Sequence, residues 1–196
     1  MNVHPIEQES YRILAERIDL SGLPPLSRAA VARVAHATAD LDLARSMVLD
    51  EDSLEAAVMA IRRGVAVVAD VQMVAAGISG IPVACFLDRV ETGAQPTRSA
   101  AAMRLAATAH PAGAIFVVGC APTALAEVVA LAAAGRLDPT LVIGMPVGFV
   151  GAAEAKAGLR ASGLPAVSNV GEKGGSAAAT SVLNALARAA LGGDRA

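Results

Sequence analysis

Three histidines, His4, His36 and His110, are the side chains best suited to move a proton near neutrality, since an unperturbed imidazole titrates near 6.5. His4 and His110 each precede a proline and read as ordinary exposed residues. His36 lies in RVAHATAD at helical spacing, and spacing alone favours a histidine satisfied within or beside a helix over a catalytic one. Asp70 directly follows an apolar run, a position that suits a ligand contact or, as the favoured reading, a cap on the next short helix. Arg98 follows Pro96 and Thr97 at a helix start, where its guanidinium and free backbone N–H groups could hold a carboxylate; a solvated surface arginine is the alternative. Gly174, Gly175 and Ser176 open the last helix and let backbone N–H groups approach an anion. Gly144 to Gly151 surrounds Phe149 with bare backbone, which suits either a closely lying ligand or a tight strand-to-helix turn. The chain shows no HExxH, serine elbow, Walker lysine or zinc ligand set, and its two cysteines, Cys85 and Cys120, are too few for a cysteine-based zinc site.

The elements that must position these groups follow from periodicity. Residues 5 to 18 and 27 to 39 read as leading helices, the second capped by Ser27, with SGLPPLS between them as a turn. An amphipathic helix over 51 to 63 ends at Gly64. β-Branched runs at 65 to 70, 81 to 87, 114 to 119, 141 to 146 and 165 to 169 predict buried strands. Ala-rich stretches at 98 to 108, 122 to 134, 151 to 161 and 175 to 191 supply the intervening helices. The pattern predicts one three-layer α/β/α domain over 1 to 196, with a mostly parallel sheet of about five strands and a frayed tail over 191 to 196. In such a sheet ligands bind beyond the carboxyl ends of the strands, where Asp70, the Gly119 to Thr123 turn and both glycine loops fall.

Composition narrows the function. The chain is 55% hydrophobic, yet Gly, Pro or a charge interrupts every apolar stretch before about 18 residues accumulate, so no membrane span is expected. A net charge of −2 and 2% aromatic residues argue against nucleic acid as a partner. Two lone cysteines and the lack of a visible signal peptide fit the cytoplasm. A Rossmann-like nucleotide or phosphate binder is a rival reading, but neither glycine loop fits G-x-G-x-x-G after the first strand.

VHPIEQESYRI, RVAHATAD, ADVQMVAAGI, TRSAAAM, GCAPTAL, GMPVGFVGAAEAK and EKGGSAAA, in this order, resemble the precorrin-8X (cobalt-precorrin-8) methylmutase family along nearly the whole chain. The resemblance implies a homodimeric, cofactor-independent isomerase. It would move a methyl group from C11 to C12 of a tetrapyrrole macrocycle, giving hydrogenobyrinic acid or its cobalt counterpart, with no metal held by the protein. It makes His36 the proton or hydrogen-bond donor to the ring. Ser10, Thr97, Arg98 and Ser99 match segments near the family's site. Asp70, Gly148, Phe149, Lys173, Gly174, Gly175 and Ser176 complete the expected substrate contacts, with Lys173 meeting substrate carboxylates. Cys120 stands where the family's turn has asparagine, and Val170 and Glu172 where arginine is common. A corrinoid-holding module without turnover is the remaining alternative.

Overall fold

A computed structural model describes residues 4–192; most of the expected frayed tail lies outside them. The N-terminal third is helical. α1 (Pro5–Arg17) is capped by His4, whose Nδ1 accepts from the Ile6 N–H at 3.2 Å. α2 (Pro25–Thr38) starts two residues before the expected Ser27 cap. A proline at the first helical position has a preset φ and needs no N–H partner there, so Pro25 opens the helix. Ser27 is instead buried and donates to Glu51, with its hydroxyl at 2.6 Å. α3 (Leu41–Arg45) is capped by the Asp40 carboxylate. β1 (Met47–Val48) leads to α4 (Glu51–Arg62), capped by Asp50.

The α/β part then alternates. β2 (Val67–Ala69), α5 (Gln72–Gly77), β3 (Ala84–Cys85), a 3₁₀ turn (Leu87–Arg89) and α6 (Arg98–Ala109) come first. β4 (Ile115–Val118), α7 (Pro122–Ala133), β5 (Leu141–Gly144), α8 (Ala152–Ala161), β6 (Ala166–Asn169) and α9 (Ser176–Leu191) follow. The sheet order is β1-β6-β5-β4-β2-β3, parallel except for β1 against β6. The sheet thus has six strands where about five were expected. β1 spans only two residues, too short to leave a period in the sequence. β3 is far shorter than the run over 81 to 87, because it is an edge strand preceded by Pro82, which donates nothing to a ladder.

Alternate strand residues face opposite layers. Val67, Ala69, Ile115, Val117, Leu141, Ile143 and Val167 pack under α2, α4, α5 and α9. Val68, Phe116, Val118 and Val142 pack under α6, α7 and α8. α1 lies outside α2, joined through Leu14, Val31 and Ala35. At the end of β4 the packing admits no side chain: a Cβ on Gly119 would come within 2.9 Å of the Ser176 Cα. Glycine there lets the start of α9 sit directly on the sheet's carboxyl edge.

Candidate active site

α9 leaves that carboxyl edge and runs back along the sheet. α2 packs against α9, and Lys173, just before α9, meets Asp40, just after α2, so the end of α2 that carries His36 comes to the carboxyl edge. His36 is half-buried, and its Nδ1 is 2.7 Å from the Ser10 hydroxyl, so the structure brings these two expected residues together. The Tyr11 ring stacks on the imidazole at 4.9 Å between centroids and 14° between planes. A hydroxyl donating to Nδ1 selects the tautomer that carries its proton on Nε2. Among the described residues none bonds to Nε2. The contact fixes the ring's orientation, and with the hydroxyl as donor Nε2 is the nitrogen that carries a proton to give.

Asp70 corrects the sequence reading. The order in which strands are added reverses between β2 and β4, and the crevice there is the usual ligand position in such a sheet. Asp70 fills it. Fully buried, its carboxylate accepts from the backbone N–H of Gly119 (3.2 Å), Cys120 (2.9 Å) and Ala121 (2.9 Å). It therefore fixes the β4–α7 turn from beneath, rather than capping α5 or facing a ligand; α5 begins at Gln72, behind Val71, with no side-chain cap. Burial raises the Asp70 pKa above the ordinary carboxyl value, while the three amides oppose that rise.

The two glycine loops close on each other. Gly175 N–H donates to the Met145 carbonyl at 2.8 Å and Gly148 N–H to the Glu172 carbonyl at 3.1 Å. Gly174 sits at φ +153°, and a Cβ there would collide with the Met145 carbonyl oxygen, so only glycine permits the approach. α9 starts at Ser176 behind Gly175 with no side-chain cap. Phe149 and Val150 project from the first loop, 94% and 89% exposed.

Lys173 is not free to meet a substrate carboxylate as expected. Its Nζ pairs with Asp40 at 2.8 Å and approaches Asp42 at 3.8 Å, tying the second glycine loop to the end of α2. That contact raises the Lys173 pKa and lowers that of Asp40.

Thr97, Arg98 and Ser99 lie at the same edge but on the opposite face of the sheet, at the start of α6. The Thr97 hydroxyl accepts from the Ala100 N–H at 3.1 Å and shares a 2.8 Å hydrogen bond with Thr123, joining the starts of α6 and α7. Arg98 is exposed and donates to the Leu87 carbonyl at 3.2 Å. No hydrogen bond or ion pair among the described residues joins this group to His36.

Lys156 was missed. It is fully buried on α8, donating to Asn169 Oδ1 at 3.2 Å and to the Lys173 carbonyl at 2.5 Å. Asn169 Nδ2 donates to the same carbonyl at 2.8 Å. The signal was present: Ala152, Lys156 and Leu159 share one helical face, and a lysine on an apolar stripe is anomalous.

The fold and these contacts define a doubly wound α/β protein in which a histidine held by a serine hydroxyl is linked through Asp40 and Lys173 to glycine loops at the carboxyl edge of the sheet. Such a site is equipped for proton transfer. The family model described as Precorrin-8X methylmutase matches residues 5–189. The cobalt-precorrin-8 methylmutase of Priestia megaterium is 38% identical over 193 residues, covering 92% of this chain and 85% of that one. The enzyme of the same name from Methanothermobacter thermautotrophicus is 40% identical over 190 residues, covering 93% and 91%. A crystal structure of the precorrin-8X methylmutase from Thermus thermophilus superposes with a TM-score of 0.86 at 37% identity, covering 96% of this chain and 97% of that one. The chain belongs to the precorrin-8X methylmutase family, isomerases of cobalamin biosynthesis.

Proposed function

We propose that the chain moves the C11 methyl group of precorrin-8X, or of its cobalt counterpart, to C12, with His36 as the proton or hydrogen-bond donor to the ring. The Ser10–His36 pair at the carboxyl edge carries this reading. A methyl shift within a conjugated ring needs no nucleophile or redox carrier from the protein, only positioning and one donor of suitable pKa. A hydroxyl-fixed imidazole supplies the donor. Open backbone at Gly148 and Gly171, where nothing lies within 4 Å of a Cβ position, gives a flat macrocycle room to lie close. Incubating the protein with precorrin-8X should convert the visible spectrum to that of hydrogenobyrinic acid, because the shift alters the ring's conjugation. An unchanged spectrum with active substrate would overturn the reading.

The same reading includes a homodimer. Exposed Phe149 and Val150 adjoin an apolar groove of about 550 Å³ between α7 and α8, lined by Pro122, Ala126, Val129, Ala130 and Gly158. A two-fold axis beside this patch would seat each Phe149 against the partner's groove, burying a surface costly to leave in water. Light scattering at micromolar concentration should give twice the 19.6 kDa chain mass; a value near 19.6 kDa would refute the dimer. Cys85 and Cys120 are both free thiols, in keeping with a cytoplasmic setting. Among the described residues no helix is long and apolar enough to cross a membrane.

A further inference from the structure

A cleft of about 250 Å³ between α1, α2 and α9 holds more positive than negative charge. Tyr11, Arg33, Ser79, Asn184 and Arg188 line it. The Glu7 carboxylate is shared by two guanidinium groups: Arg33 Nη1 lies 3.0 Å from Glu7 Oε1 and Arg188 Nη1 lies 3.6 Å from the same oxygen. The second distance is too long for a good hydrogen bond, so Arg188 is held by charge and keeps its planar fork of donors for another acceptor. Asn184 is already spent, accepting from the Ser79 N–H and donating to the Gly77 carbonyl, so it stiffens the wall and leaves recognition to the arginines. Arg33 is 33% and Arg188 42% exposed, enough for a ligand to reach them without unpacking a helix.

The cleft adjoins the histidine. Tyr11 lines it, and the same ring stacks on His36. Arg33 precedes His36 by three residues, about 4.5 Å along α2 and on the same side of the helix. A ligand lying against the imidazole therefore has its periphery within reach of both guanidinium groups.

We propose that the Arg33–Arg188 cleft is a carboxylate subsite, which takes one acetate or propionate side chain of the macrocycle held against His36, with Glu7 competing for the same two guanidinium groups. This rests on the corrin substrate proposed above. The bound carboxylate takes the fork of Arg188 in the two-bond geometry arginine offers, and shares Arg33 with Glu7. Glu7 meanwhile keeps the two guanidinium charges of the cleft paired.

Competition gives the test its sign. Hydrogenobyrinic acid is titrated into the parent protein, Arg188→Ala and Glu7→Gln, with circular dichroism as the check on folding. Arg188→Ala should weaken binding by about tenfold, the value of one charge-assisted contact. Glu7→Gln should tighten it by about threefold, because the rival charge is gone. If the Glu7 cluster merely braces α1 against α2, Glu7→Gln leaves affinity unchanged or lowers it, and that result overturns the subsite, as does an Arg188→Ala protein that binds like the parent. A folded parent that does not bind hydrogenobyrinic acid at all counts against the corrin reading itself.

Discussion

His36→Ala is expected to bind hydrogenobyrinic acid yet to isomerise precorrin-8X some 10² to 10⁴ times more slowly than the parent, the usual contribution of a positioned proton donor. The side chain makes one hydrogen bond to Ser10 and one ring stack with Tyr11, and it is only half-buried. Losing both contacts costs on the order of 1–2 kcal/mol, a tolerable fraction of a domain's stability, so the variant should remain folded. Retained product binding verifies that in the same sample. His36→Asn separates two roles. An amide can donate a hydrogen bond to the ring but cannot deliver a proton, so partial activity in the Asn variant with none in the Ala variant identifies a hydrogen-bond donor, and equal loss identifies an acid. Ser10→Ala frees the imidazole to turn and should cost roughly tenfold, less than removal of the imidazole itself. Undiminished turnover in His36→Ala or His36→Asn would remove His36 from the reaction.

The parallel core of the sheet was legible because strands buried on both faces leave short runs of large β-branched residues. The runs over 114 to 119 and 141 to 146 contain β4 and β5, which are buried throughout, and overrun them by two residues each. Where this rule weakens, so does the reading. β1 has no run to show, and β3 keeps only two residues of its apolar segment because an edge strand pairs on one side alone. Pro24 and Pro25 were read as ending structure. A proline can equally begin a helix, and choosing between those readings needs the Glu51 carboxylate, which holds the Leu26 and Ser27 amides from across the sequence.

The site was legible by residue and not by partner. That Asp70 follows a strand was plain, but its carboxylate crosses to amides 49 to 51 positions onward, and the sequence offered only the adjacent helix as something to cap. Lys173 has Glu172 beside it in the chain and Asp40 beside it in space, 133 positions away. Ser10 and His36, 26 positions apart, came together through family resemblance alone; no spacing rule joins two helices across a proline turn. The Rossmann-like reading loses its ground in the same way, because the switch-point crevice it needs is occupied by the Asp70 carboxylate.

The stability of the parent relative to Lys156→Met should rise between pH 8 and pH 10.5. Burial depresses the Lys156 pKa from 10.5 to about 8, Arg160 adds repulsion, and Glu172 works the other way. In the unfolded chain the ammonium titrates at its ordinary value, so within that window the unfolded state binds more protons than the folded one, and raising the pH favours folding. The penalty for burying the charge is fully present below about pH 8 and is relieved as the pH climbs towards 10.5. Methionine carries no such penalty at any pH, so the parent should gain roughly 3 kcal/mol on it across the window. Near pH 7 the substitution is more nearly balanced. It removes the buried charge but orphans Asn169 Oδ1, while the Lys173 carbonyl keeps its bond from Asn169 Nδ2. Lys156→Ala lacks that compensation, because a fully buried four-carbon stem is replaced by a void, and it should cost about 2–5 kcal/mol. The damage should fall first on residues 170–175, whose carbonyl at Lys173 is held from below by Lys156 and whose side chain there ties the loop to the His36 helix. Denaturant unfolding of the parent and both variants from pH 7 to pH 10 measures each difference. A parent-to-methionine difference that stays flat over that range would show that the ammonium is solvated, and that it does not brace the glycine loops from within the fold.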